Sequence, residues 1–117
     1  MGMDGAVVYT WGVPRAGREA AALEAFADSM TFWDKRIADS AATASIPVIL
    51  PRSGGLWIIT GDLDRLREAT DSDEHARITI KASAAVEGFT AEIGLAGDTL
   101  QTRMGLYGKT LGELGYL

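Results

Sequence analysis

The chain has 117 residues, 47% of them hydrophobic and 23% charged, with no cysteine and a formal net charge of −5. That length suits one domain burying roughly two thirds of its unfolded surface, and so apolar a chain with so modest a charge is not disordered. The missing sulfur excludes a disulfide scaffold, a thiolate zinc site and a cysteine nucleophile, and 16 acidic against 11 basic residues argue against a nucleic-acid partner.

Met1-Gly2-Met3-Asp4-Gly5 has neither a basic leader nor an apolar one, and no apolar run nears the roughly 20 residues of a membrane span. A cytoplasmic protein is the expectation. Ala6 to Trp11 is β-branched and aromatic and stops at Gly12-Val13-Pro14, which predicts a strand. Ala6, Val8 and Thr10 share one face of it and Val7, Tyr9 and Trp11 the other, so both faces need cover.

From Arg18 to Asp39 the period becomes helical, with Leu23, Phe26, Met30, Trp33 and Ile37 on one stripe. Glu24, Asp28, Lys35 and Asp39 fall opposite, and Phe32 points among these charges, as an exposed aromatic or a contact with another chain. Ser45 to Leu50 and Leu56 to Thr60 predict two strands joined by the turn residues Pro51 to Gly55, an antiparallel hairpin. Pro47 cannot donate to a ladder and puts its strand at an edge, or its nitrogen away from the partner.

Asp62 or Asp64 caps a helical region bearing Leu63 and Leu66. A second start at Ser72 divides that region into two helices meeting at a bend. The later piece, His75 to Val86, aligns His75, Ile78, Thr79, Ala82 and Val86 and ends at Gly88. Phe89 to Leu95 alternates as a fourth strand. Beyond it, Leu100, Met104, Tyr107, Leu111 and Leu114 keep helical spacing through Gly105, Gly108, Gly112 and Gly115, each costing up to about 1 kcal/mol against Ala. Such a helix is held by packing, and a partner chain can supply it.

The order is β-α-β-β-α-β plus a C-terminal helix: an α+β, ferredoxin-like fold with a four-stranded antiparallel sheet. One domain over 1–117 is expected, with its core at 6–97 and the last helix at 98–117. Neither sheet face is polar enough to stay wet, so a second copy is the simplest cover and a homodimer follows.

The strand Val7 to Trp11, the helix through Phe26 and Trp33, the hairpin Pro51 to Gly61, and Asp71-Ser72-Asp73-Glu74-His75 leading to Val86-Glu87-Gly88-Phe89 resemble the dimeric α/β-barrel superfamily. The resemblance covers 6–97. It implies two sheets closing into a barrel and a role among small monooxygenases of aromatic polyketides, haem-degrading enzymes, muconolactone-type isomerases and haem peroxidases. One fold hosts all of these, so the residues must decide.

His75 is the only histidine, which removes every two-histidine metal site, and no metal is expected. It is a candidate general base or haem ligand if it lines the pocket, and otherwise a half-exposed helix residue among Asp71, Asp73 and Glu74. Haem degradation has the weakest support: that branch pairs a helix histidine with a tryptophan and an asparagine. His75 and Trp57 can stand for two of these, but the chain has no asparagine. Tyr9, Trp11, Trp33 and Trp57 are the candidate ligand-binding residues, able to stack on an aromatic molecule without any cofactor, with plain core packing as the alternative. Glu92 is a second candidate acid or base if buried, or else the ion-pair partner of Arg52 or Arg103. No phosphate loop, dinucleotide fingerprint or nucleophile elbow is present. Three functions fit: a cofactor-independent enzyme acting on a hydrophobic or aromatic small molecule, monooxygenase- or isomerase-like; a binding module using the same pocket; or an oligomeric structural protein.

Overall fold

In the computed structural model, which describes residues 3–117, the chain forms four strands and four helices. They run β1 (Gly5–Trp11), α1 (Glu19–Ala38), β2 (Ala44–Leu50), β3 (Gly54–Gly61), α2 (Leu63–Thr70), α3 (Asp73–Ala85), β4 (Thr90–Leu95) and α4 (Gly97–Glu113). The part of the leader reading that falls on Met1 and Gly2 lies outside the described residues. Among those described, no helix is long and apolar enough to cross a membrane.

The strands form one antiparallel sheet in the order β2-β3-β1-β4, the ferredoxin-like arrangement. β2 is an edge, the first of the two placements that Pro47 allows, and β1 is central between β3 and β4. The register pairs Val7 with Ile59 and Ile93, and Tyr9 with Trp57 and Ala91, which puts these residues on one face. That face holds the core: Val7, Tyr9, Trp57 and Ile59 pack under Phe32 and Trp33 of α1, Leu66 of α2 and Ile78 of α3. The opposite face aligns Val8 with Ile58 and Ile46, and Leu56 with Val48, and nothing in the chain buries it fully.

The caps form where the sequence puts them. Asp62 accepts from the Arg65 amide at 3.1 Å and Ser72 accepts from the His75 amide at 3.2 Å, so the second helical region breaks into α2 and α3. Asp4 adds an anchor outside the helix, accepting from the Leu63 amide at 2.6 Å. Past α3 the chain pairs back on the exit from β1: Gly12 N donates to Glu87 O at 2.6 Å and Glu87 N to Val13 O at 3.0 Å.

Phe32 departs from expectation. It is 1% exposed, edge-on to Trp33 at 5.0 Å, with the Arg36 guanidinium 3.7 Å above its ring. α1 packs against α3 as well as the sheet, so its apolar arc is wider than one stripe, and Phe32 and Trp33 serve the two sides. Leu23, placed on the stripe by spacing, is instead 72% exposed. Lys81 of α3 meets Glu24 and Asp28 of α1 at 3.0 and 2.6 Å across the same helix pair.

Candidate functional site

Between α1 and the sheet, at the end where β1 exits, lies an open apolar cleft of about 580 Å³. Tyr9 and Trp11 of β1, Trp57 of β3, Phe26 of α1 and Phe89 before β4 form its aromatic wall. These rings touch in sequence: Trp11 meets Phe26 edge-on at 6.3 Å, Phe26 lies 5.3 Å from Trp57, and Phe89 stacks on Tyr9 at 6.0 Å. Trp11 fits because the hairpin arrives on glycines. Gly54 holds a φ of +113°, and a side chain there would run into the Trp11 carbonyl.

The wall contains one unanswered donor. Trp57 Nε1 is buried with no hydrogen-bond partner among the described residues, in a side chain only 2% exposed. A buried N–H left unpaired costs about 1–3 kcal/mol, and this one is closed off from the cleft behind its own ring.

Tyr9 joins the wall to a polar group behind it. Its hydroxyl lies 2.6 Å from His75 Nε2 and accepts from Trp33 Nε1 at 3.0 Å. The indole N–H can only donate, which leaves the phenol hydrogen free for Nε2 when the imidazole carries its proton on Nδ1. The Thr70 backbone carbonyl acts on the ring as an acceptor. Burial lowers the proton affinity of His75, aided by Arg36 and opposed by the Thr70 carbonyl and Asp71, so the imidazole is neutral near pH 7. Burial raises the pKa of the Tyr9 phenol, partly offset by the Trp33 hydrogen bond.

His75 faces a second hollow of about 350 Å³ between α3 and β4, which Val7, Thr79 and Glu92 also line. The Tyr9–His75 hydrogen bond therefore spans from the wall of one cavity to the wall of the other.

The sequence-predicted residues separate into two groups. Tyr9, Trp11 and Trp57 stand together in the cleft wall. Trp33 is 1% exposed and supports the Tyr9 hydroxyl from behind rather than facing the cleft. His75 is 6% exposed, not the half-exposed residue that its acidic neighbours suggest. Glu92 lines the hollow beside His75 but is exposed and pairs in register with Val8 of the open sheet face. Neither Arg52 nor Arg103 forms an ion pair with it among the described residues. Phe26 and Phe89 were missed as wall residues. Phe26 lies seven positions before Trp33 on the same helical stripe, which was signal enough, whereas Phe89 has none. No group of three or more metal-ligating side chains occurs among the described residues.

No protein-family model and no curated protein matches the chain. Solved structures do share its fold. SnoaB of Streptomyces nogalater, a cofactor-independent oxygenase, is 16% identical with a TM-score of 0.54, over 80% of this chain and 92% of its own. A Caulobacter crescentus protein inferred to be an antibiotic biosynthesis monooxygenase is 16% identical at 0.58, over 83% and 92%. A dimeric ferredoxin-like protein of unknown function from Bacteroides fragilis is 8% identical at 0.52, over 79% and 96%. At such identities the likeness is one of fold.

Proposed function

We propose that this chain binds an aromatic small molecule bearing an acceptor oxygen in the cleft and oxygenates it with its own side chains. The observation that supports this most is the aromatic wall of the cleft, backed by a tyrosine–histidine pair that burial keeps neutral. Stacking on Trp11, Phe26 and Trp57 would supply affinity. Oxygenation without a cofactor requires that the substrate provide the electrons: an acidic CH₂ group loses a proton, and the carbanion reduces O₂, giving C=O and water in balance. The base in this reading is His75, reached through the Tyr9 hydroxyl. The likeness to SnoaB favours this chemistry over isomerisation.

Anthrone, an aromatic ketone with an acidic methylene, serves as the probe. Quenching of tryptophan fluorescence reports binding, and O₂ uptake with anthraquinone formation reports turnover. The expected result is both in the wild type, with turnover at least about tenfold lower in His75→Ala at unchanged binding. Binding with no turnover by the wild type would favour the binding-module reading, and no binding at all would remove the cleft from consideration.

The second part of the proposal is a homodimer in which another copy covers the open sheet face. Val8, Leu56 and Ile58 are only half-buried there, and Ile46 and Leu50 are 57% and 42% exposed, an apolar patch that a lone chain rarely leaves in water.

A further inference from the structure

Helix α4 stands apart from its own chain. The strands and α1 to α3 pack on one another, whereas no element packs substantially on α4. The molecule is correspondingly long, 53 × 33 × 23 Å, and its radius of gyration is 16.5 Å against roughly 13 Å for a compact chain of this length. Leu100, Met104, Leu106 and Tyr107 of α4, and Leu114 and Tyr116 after it, are each at least 42% exposed.

Such a helix does not hold itself. Even alanine-rich helices shorter than about 12–15 residues are marginal in water, and α4 has 17 residues interrupted by Gly105, Gly108 and Gly112, each worth about 1 kcal/mol against Ala. Open space surrounds all three glycines, a surface that another chain can approach closely.

Among the described residues, none of those lining the cleft belongs to α4. α4 starts beside Asp4, whose carbonyl accepts from the Ala96 amide at 2.9 Å and from the Thr99 hydroxyl. That is the start of β1, while the cleft lies at the opposite end of the strand, around Trp11 to Pro14.

A second copy fits by charge. Within α4, Asp98 and Glu113 balance Arg103 and Lys109, so the net charge of −5 resides in the rest of the chain. The arm is the part that two acidic copies can share without repulsion. The exposed apolar side chains of α4 and of the sheet face are the surface such a contact would bury. A twofold axis would cover both surfaces in both copies at once.

We propose that α4 is an arm exchanged between two copies of this chain, helical because it packs on the partner. This rests on the homodimer reading above and adds which element secures it. The test combines sedimentation velocity with hydrogen exchange of the amides of α4, on the full chain across a dilution series and on the Met104→Glu/Leu111→Glu double variant. Expected is a wild-type dimer with α4 protected. In the double variant, and in the wild type at dilutions that dissociate it, the chain sediments as a monomer. Protection of α4 then falls at least about tenfold while the amides of β1 and β3 stay protected. A dimer with α4 unprotected, or a double variant still dimeric with α4 protected, overturns the arm and leaves the homodimer standing. A wild type that is monomeric at every concentration overturns both, and α4 protected in a dissociated monomer overturns the arm alone.

Discussion

Three side chains decide the chemistry at the centre of this protein. Trp33 donates to Tyr9, and Tyr9 donates to a His75 that burial holds neutral. Each end of this chain makes stability depend on pH in a defined direction. The unfolded chain takes up the histidine proton near pH 6.5 and the native protein only at lower pH, so stability falls as the pH drops below 6.5. The unfolded chain loses the tyrosine proton near pH 10 and the native protein only above it, so stability also falls as the pH rises past 10. Urea midpoints should therefore be flat from about pH 7 to 9 and decline on both sides. His75→Gln, which keeps an acceptor for the phenol, should flatten the decline between pH 6.5 and 5, and Tyr9→Phe the alkaline one. An acid decline unchanged in His75→Gln would show that the imidazole is not held neutral.

At the scale of elements, the cleft depends on how the β2–β3 hairpin meets the end of β1. Gly54 sits in a backbone region that favours glycine and lies against the Trp11 carbonyl. Gly54→Ala should cost more than about 1 kcal/mol in urea denaturation and displace Trp11, changing its fluorescence. A variant of wild-type stability and spectrum would mean that the hairpin does not position this wall. The turn itself is legible in Pro51 to Gly55, and the caps in Asp62 and Ser72, because these are local chemistry. The burial of Phe32 is not, since it depends on α3 lying beside α1, a contact that helical spacing does not encode.

For the whole molecule, an apolar sheet face and an exposed terminal helix are the surfaces that the proposed homodimer would cover. If two copies complete it, folding and association are one equilibrium, and the thermal midpoint should rise with protein concentration, which calorimetry over a hundredfold range can check. A midpoint independent of concentration would mean that the chain stands alone.

Hydrophobic period, turn residues and caps act over a few residues, and so the order of elements and the break between α2 and α3 were determined by the sequence alone, whereas Pro47 left β2 either at an edge or with its nitrogen turned from the partner. The aromatic character of Tyr9, Trp11 and Trp57 was visible there too. Their convergence on one cleft, the retreat of Trp33 behind Tyr9, and the hydrogen bond joining Tyr9 to a histidine 66 positions away were decided only by the tertiary structure. Sheet register and helix docking bring such residues together, and pairings of that range leave no trace in the local pattern of a single chain.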